Sequence, residues 1–217
     1  MKNVILLALV VCFLQGYGAQ KEKKSERKKA EKGWVKLFNG KNLKNWKFSE
    51  DEGTFSVKDG AIMVHGKRSH LYYDGPVSNH NFTNFELKAD VMTEPGSNSG
   101  LYFHTEFQDE GFPDKGYEVQ VNNSHSDWKR TSGLYDVMDL KEVPTKDNEW
   151  FTMQINVTGK HIVVSLNGKT TVDFIEPENP QYKGHPQRKI AHGTFALQGH
   201  DPKSIVYFKN ILVKPLP

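Results

Sequence analysis

Three stretches of the sequence alternate polar and apolar side chains without interruption. Side chains on a β-strand point alternately to opposite faces, so the polar residues of each stretch share one surface. These polar groups combine imidazole, carboxylate, carboxamide and phenol, whereas an ordinary solvated face carries mostly Lys, Glu, Thr and Ser. The stretches are residues 85–90, 101–106 and 117–122, and their polar residues are Glu86, Lys88, Asp90, Tyr102, His104, Glu106, Glu118, Gln120 and Asn122. The pattern predicts the floor of a cleft that binds and titrates a small polar molecule.

Short strands separated by turn residues organise the sequence from Gly33 onward. Asp59-Gly60 and Asn167-Gly168 each lie between two alternating or apolar runs, and such pairs accept the positive φ of hairpin turns. Many short strands without a convincing 3.6-residue apolar period predict an all-β fold. We expect two antiparallel sheets packed face to face as a sandwich. The irregular segment 176–192 is predicted to be a surface loop that borders a site.

The first 32 residues differ in composition from the rest of the chain. Residues 1–18 resemble a secretory signal peptide, with Lys2, an apolar run at 4–14 and a small-x-small cleavage site at Gly16-Tyr17-Gly18. The apolar run is too short to span a bilayer comfortably, so we expect no stable membrane span after signal removal. Residues 19–32 are predicted to be a charged flexible linker. The sequence therefore predicts a secreted or periplasmic protein with one domain at 33–217.

The single cysteine and the charge distribution restrict the other classes of partner. Cys12 lies inside the predicted signal peptide, so the exported chain would contain no disulfide. Cys12 could instead carry a lipid anchor, although Leu9-Val10-Val11 lacks the small residues expected before a lipid-attachment cysteine. The positive charge belongs to the predicted linker, and no basic stripe alternates with stacking aromatics. Nucleic acid is therefore not an expected partner.

Several motifs in fixed order resemble the 3-keto-disaccharide hydrolase-like family. They include GWVKLFNGKNLKNW at 33–46, NSGLYF at 98–103, YEVQ at 117–120, GLYD at 133–136 and ALQGH at 196–200. The resemblance covers residues 33–217. It implies a two-sheet antiparallel jelly roll of the concanavalin A-like lectin and glucanase type. It also implies an exported enzyme that acts on glycosides whose sugar carries a ketone at carbon 3.

A 3-keto sugar can be cleaved without the carboxylate pair of a conventional glycosidase. A retaining glycosidase needs two carboxylates about 5 Å apart, but Gln120 and Asn122 place amides where this strand could carry further carboxylates. The ketone acidifies the proton on carbon 2, and the resulting carbanion can expel the group on carbon 1, after which water adds to the unsaturated product. This route needs one base, a donor or metal for the enolate oxygen and an acid for the leaving group.

His104 and Glu118 are the candidate catalytic residues. The unperturbed pKa of an imidazole lies near working pH, and Glu118 would orient His104 or share the proton if their strands are neighbours. Alternatively, the two residues form a half-exposed cross-strand ion pair without a catalytic part. The presence of Tyr102, Gln120 and Asn122 on the same predicted face favours a ligand site.

Six further residues are candidates for binding the sugar. Trp128 lies in a polar segment and is expected to be a stacking platform. Asn98 could present its amide to hydroxyl groups or could only stabilise a turn. Tyr135 and Asp136 could supply an enolate donor and an orienting carboxylate, or could form a strand end with one polar tip. The last two candidates, Gln198 and His200, are expected at the rim of the cleft.

The sequence leaves open two alternative functions and the binding of a metal ion. The same fold could be a non-catalytic carbohydrate-binding module, or a conventional glycosidase with a second carboxylate at Glu86, Asp90 or Glu106. No cofactor is certain; a divalent metal could bind to the histidines and carboxylates, although their spacing matches no compact chelating motif. His65 and His70 are expected to be ordinary loop histidines.

Overall fold

Two antiparallel β-sheets make up the described part of the chain. The structure is a computed structural model that describes residues 32–217. The predicted signal peptide, Cys12 and nearly all of the predicted linker lie outside the described residues. Residues 35–217 cluster as one unit. The strands are β1 (Val35–Lys36), β2 (Trp46–Phe48), β3 (Phe55–Lys58), β4 (Ala61–Val64), β5 (Ser69–Tyr73), β6 (Asn84–Thr93), β7 (Ser99–Thr105), β8 (Tyr117–Val121), β9 (Phe151–Thr158), β10 (His161–Leu166), β11 (Lys169–Ile175), β12 (Thr194–Gly199) and β13 (Val206–Leu216).

The strand order confirms the predicted two-sheet antiparallel sandwich. The eight-stranded sheet has the order β11-β10-β9-β6-β13-β4-β3, with β1 paired to β13. The five-stranded sheet has the order β2-β5-β12-β7-β8. Short 3₁₀ turns at Glu52–Thr54 and Val77–His80 are the helical elements among the described residues. Both predicted hairpins form, since Asp59-Gly60 joins β3 to β4 and Asn167-Gly168 joins β10 to β11, all four residues having positive φ.

The hydrophobic core lies between the two sheets. Leu71, Leu197, Leu101 and Val119 are cross-strand partners in one buried row of the five-stranded sheet. Since side chains alternate along a strand, the rows on either side of this one point away from the core. The row Tyr72, Ala196, Tyr102 and Glu118 is one of these.

One of the three stretches predicted to line the cleft belongs to the other sheet. Glu86, Lys88 and Asp90 lie on β6 of the eight-stranded sheet and alternate with its core residues. Lys214 donates to Glu86 at 2.8 Å, and Asn210 donates to Asp90 at 2.7 Å. The alternation correctly predicts that these residues share a face, but it carries no information about which sheet the strand joins.

Matched isoleucines test where the core lies. Ile62 is fully buried in β4, whereas Ile175 in β11 is 70% exposed. We expect Ile62→Ala to lower the free energy of unfolding by about 2–5 kcal/mol, because it removes buried methyl groups and leaves a cavity. Ile175→Ala should lower it by less than about 1 kcal/mol. Urea unfolding of both variants measures the difference, and equal losses would contradict the described packing.

Candidate active site

An open cavity of about 500 Å³ lies on the face of the five-stranded sheet that points away from the core. Its floor comes from β7, β8 and β12, and its walls come from three loops, residues 106–116, 122–140 and 176–193. Tyr102, Glu118, Gln120 and Gln198 project into it from the sheet. With Asn98, Tyr135, Asp136 and His200, which also line the cavity, the structure brings together eight of the eleven site residues that the sequence predicts.

Glu118 is a carboxylate enclosed by hydrogen-bond donors at the floor of the cavity. The residue is 5% exposed. Tyr102 donates its hydroxyl to Oε2 at 2.7 Å, and Gln198 donates its amide to Oε1 at 3.1 Å and to the Tyr102 hydroxyl at 2.9 Å. With its side-chain amide turned so that the nitrogen faces Glu118, Gln120 also donates to Oε1, at 3.3 Å. The three neighbours fix the position of the carboxylate.

Burial places the pKa of Glu118 near neutrality. Loss of solvation raises the pKa to about 7, against the hydrogen bonds from Tyr102 and Gln198 and the positive charge of Arg188, which favour the ionised form. Burial and the neighbouring carboxylate raise the pKa of Tyr102, so that the phenol stays a neutral donor. Glu118 can therefore take up or release a proton at neutral pH, as a general acid or base must.

A glycine on the adjacent strand makes room for this carboxylate. Gly100 on β7 is the cross-strand partner of Gln120. A Cβ built at Gly100 would overlap the Glu118 carboxylate and would lie 2.9 Å from its Cγ, closer than real Cβ contacts allow. Any larger residue at position 100 would displace the carboxylate from its donors.

Several charged side chains lie on the side of β8 that faces away from β7, next to the segment that pairs with β8 through Leu134. Asp136 forms ion pairs with Lys129 and with His185, whose Nε2 lies 3.0 Å from Oδ2. Burial alone would raise the pKa of Asp136, but hydrogen bonds from Lys129 and His185 hold it below its ordinary value. Tyr135 lies beneath Lys129, whose ammonium is 3.7 Å from the ring centroid. This wall presents a fixed imidazole and a phenol to the cavity.

Arg188 adds a buried cation to the same wall. Its guanidinium donates to the backbone carbonyl of Tyr135, and its Nε has no hydrogen-bond partner among residues 32–217. Glu176 positions the loop that carries Arg188 and His185, because its Oε1 accepts hydrogen bonds at 2.5 Å from the Tyr117 hydroxyl and from the Ile190 amide. Segment 176–192 is thus the site-bordering loop that the sequence predicts.

The opposite part of the cavity contains His200 and an aromatic ring. Asp201 accepts from His200 Nδ1 at 2.8 Å, which leaves Nε2 as the ring nitrogen available to a ligand. Burial opposes ionisation of Asp201, but hydrogen bonds from His200 and Ser204 lower its pKa to about 2. Phe112, on the loop 106–116, lies 6.1 Å from the His200 ring and lines the cavity.

His104 does not line the cavity that contains Glu118, so the structure does not bring the predicted catalytic pair together. His104 has φ of 55°, and its ring packs against the core residues Phe85 and Phe103. Its Nε2 lies 2.8 Å from the Thr83 carbonyl oxygen. The positive φ, next to a register shift between β7 and β12, interrupts the two-residue alternation. Burial lowers the pKa of His104 to about 4, so the imidazole is neutral.

Of three other predicted site residues, Asn122 has a structural role, Trp128 lies outside the cavity lining and Asn98 is part of that lining. Asn122 is buried and donates to the carbonyl oxygens of Asp127 and Lys129 at 2.9 and 2.7 Å, so it organises the following loop. Trp128 lies on this loop, is 50% exposed and is not part of the cavity lining. Asn98 lines the cavity beside Gln120, and the side-chain amides of the two residues are 3.2 Å apart.

Sequence reasoning missed His70, His185, Arg188 and Phe112. His70 lies on β5 and not in a loop, and both of its ring nitrogens lack a partner among the described residues. Its ring is 5.6 Å from that of Tyr102, and burial lowers its pKa to about 4. The run Ser69–Tyr73 has the sequence SHLYY, which lacks the polar and apolar alternation that would have assigned His70 to a face.

The described residues contain neither a metal cluster nor a membrane span. Within residues 32–217, no three His, Cys, Asp or Glu side chains are arranged to hold a metal ion. No helix in this part of the chain is long and apolar enough to cross a membrane.

Comparisons with known proteins agree with the motifs. The model of the 3-keto-alpha-glucoside-1,2-lyase-like domain matches residues 33–214, so the chain belongs to this family. A curated 3-keto-disaccharide hydrolase from Bacteroides thetaiotaomicron is 24% identical over an alignment of 171 residues, and the match covers 65% of this chain and 58% of that protein. The chain therefore spans less than two thirds of the length of this relative.

Solved structures share the sandwich. A candidate glycosyl hydrolase from Parabacteroides distasonis is 25% identical, with a TM-score of 0.74, and the match covers 88% of this chain and 97% of that chain. A carbohydrate-binding module from Bacillus subtilis is 13% identical, with a TM-score of 0.56 over 78% of this chain and 95% of that chain. The second likeness concerns the fold alone.

The raised pKa of Glu118 predicts a pH-dependent loss of stability. Its pKa is about 7 in the folded protein, against the ordinary 4.5. The proton therefore stabilises the folded state below pH 4.5, and this stability is lost as pH rises through 7. Relative to Glu118→Gln, which does not titrate, the wild type should lose about 3 kcal/mol between pH 4.5 and 8. Urea unfolding across this range measures the free energy of unfolding of both proteins. A difference between them that does not change with pH would contradict the raised pKa of Glu118.

Proposed function

We propose that this member of the 3-keto-alpha-glucoside-1,2-lyase-like family cleaves 3-keto-glycosides, with Glu118 as its proton carrier. The observation that carries the proposal is a buried carboxylate with a pKa of about 7 at the floor of an open cavity. The substrate class is supported by the family description and by the name of the curated relative. A saccharide would lie on the sheet between the two loops that carry Phe112 and Arg188.

The reaction begins with proton abstraction next to the ketone. Ionised Glu118 takes the proton from carbon 2, and the electrons of the C–H bond form an enolate with the oxygen on carbon 3. The enolate then re-forms the ketone and expels the oxygen on carbon 1, which leaves a double bond between carbons 1 and 2. Water adds to carbon 1 as hydroxide, its other proton goes to the acid that protonated the departing oxygen, and Glu118 returns the first proton to carbon 2. The sum of these steps is hydrolysis.

Two groups of residues assist these steps. Arg188, His185 and Tyr135 supply positive charge or hydrogen-bond donors for the enolate oxygen, in a site where burial strengthens such contacts. His200, held by Asp201, delivers a proton to the departing oxygen on carbon 1. In this assignment His104 stabilises the fold and takes no part in the reaction.

A conventional glycosidase is less consistent with the cavity. Such an enzyme needs a second carboxylate to act with Glu118. Glu86 and Asp90 lie on the other sheet, and Glu106 is exposed and paired with Lys115 at 2.6 Å. Asp136 lines the cavity but is already ion-paired with Lys129 and hydrogen-bonded to His185.

The proposed function also includes export from the cytoplasm. Residues 1–18 have the features of a signal peptide, and residues 19–32 those of a charged linker. We therefore propose that the protein acts outside the cytoplasm, where glycosides derived from polysaccharides are available.

Glu118→Gln tests the proton carrier directly. We expect kcat/KM on a 3-keto-disaccharide to fall about 10²–10⁴-fold, because an amide cannot accept the proton. In the wild type, kcat/KM should rise with pH through about 7 as Glu118 ionises, and this step should be absent in the variant. Initial rates with the oxidised disaccharide and its unoxidised counterpart measure both effects.

Two control variants accompany this experiment. Glu106→Gln neutralises an exposed carboxylate outside the cavity that contains Glu118. His104→Asn replaces a buried imidazole with a residue that tolerates positive φ. Both should retain turnover, although His104→Asn should unfold more easily. Full activity of Glu118→Gln, or cleavage of the plain disaccharide at an equal rate, would overturn the proposal. Binding that is flat with pH and without turnover would favour a carbohydrate-binding module.

A further inference from the structure

Phe112 is an aromatic ring presented to the cavity. It is 43% exposed although it lies among cavity-lining residues. The Arg68 guanidinium carbon lies 5.5 Å from the ring centroid, over the ring, and the His70 ring meets Phe112 in a T-shaped contact at 5.7 Å. Exposed aromatic rings beside polar groups are suited to bind the apolar face of a ligand ring.

The loop that carries Phe112 is rigidly built. The Gln108 side chain donates to the Glu110 and Phe112 carbonyl oxygens at 2.5 and 3.0 Å and accepts from the Asp114 amide at 3.2 Å. The carboxylate of Glu50 accepts hydrogen bonds from Arg68 at 2.6, 3.1 and 3.2 Å. These contacts hold the ring in place before a ligand binds, so little conformational entropy is lost on binding.

The strand order places Phe112 and the charged wall on opposite sides of Glu118. Val119 on β8 pairs with β7 on one side and with Leu134 on the other, and the charged wall of Tyr135 and Asp136 follows Leu134. His70, which contacts Phe112, lies on β5, on the β7 side of Glu118. The cavity therefore has a charged side and an aromatic side, with the proton carrier between them.

We propose that Phe112 is the platform for the leaving group and that this group is a second pyranose ring. The inference rests on the proposed function, because it takes the oxidised ring to bind on the charged side, where the enolate oxygen meets Arg188 and His185. The leaving group then lies over Phe112, with its departing oxygen next to His200. A pyranose offers one apolar C–H face to an aromatic ring and hydroxyl groups to the polar rim.

The experiment compares two substrates that share the reacting ring. A 3-keto-disaccharide has the second ring, and methyl 3-keto-glucoside lacks it. Phe112→Ala should lower kcat/KM on the disaccharide about fivefold to tenfold and change that on the methyl glucoside by less than about twofold. Phe112→Tyr should restore the disaccharide rate, and Phe112→Leu, which keeps apolar volume but no ring, should not. Trp150→Ala, immediately before β9 of the other sheet, is the aromatic control.

The outcomes separate this inference from the proposed function. Binding of both compounds is also measured by calorimetry in the Glu118→Gln background. If Phe112→Ala alone loses disaccharide binding and the wild type shows no turnover, the role of Phe112 as a platform is supported and the proposed reaction is overturned. Equal effects on both compounds, rescue by Leu, or a selective effect of Trp128→Ala instead would overturn the platform and leave the reaction standing. Failure of the disaccharide both to bind and to react would overturn both.

Discussion

The candidate site depends on keeping one carboxylate out of water. Removing Glu118 from solvent disfavours its charged form, and the hydrogen bonds from Tyr102 and Gln198 only partly compensate. The result is a group that is close to equally stable with and without its proton at neutral pH. The space for this arrangement exists because residue 100 is glycine. A larger residue there, or one donor fewer, would change the balance that makes Glu118 useful.

The strand that carries Glu118 also fixes the wall of the cavity. Consecutive residues on β8 point to opposite faces, so Tyr117 faces the core while Glu118 faces the cavity. From the core side, Tyr117 binds Glu176, which in turn holds Ile190. The loop that carries His185 and Arg188 is therefore tied to the same short strand as Glu118. His185 and Arg188 consequently have a fixed position relative to Glu118.

Local patterns predicted most of the fold and part of the site. The hairpins at Asp59-Gly60 and Asn167-Gly168 follow from turn chemistry, and the alternation in 117–121 correctly assigns Glu118 and Gln120 to one face. Alternation could not show that β6 joins the other sheet, because pairing is decided by contacts between distant residues. It also failed at His104, where one residue with positive φ turns the side chain toward the core. Phe112 and Arg188 lie on loops, and the positions of these loops depend on hydrogen bonds made by the side chains of Gln108 and Glu176.

The distinction between enzyme and sugar-binding module lies in Glu118 and not in the sandwich. The fold is shared with a carbohydrate-binding module, so it cannot decide between the two functions. A module that only holds sugar hydroxyls gains nothing from a buried carboxylate whose ionisation costs stability at working pH, since an amide would serve as well. A catalyst needs a group that exchanges a proton, and that group must be close to equally stable in both states. The cost in stability at position 118 is therefore the feature that favours catalysis.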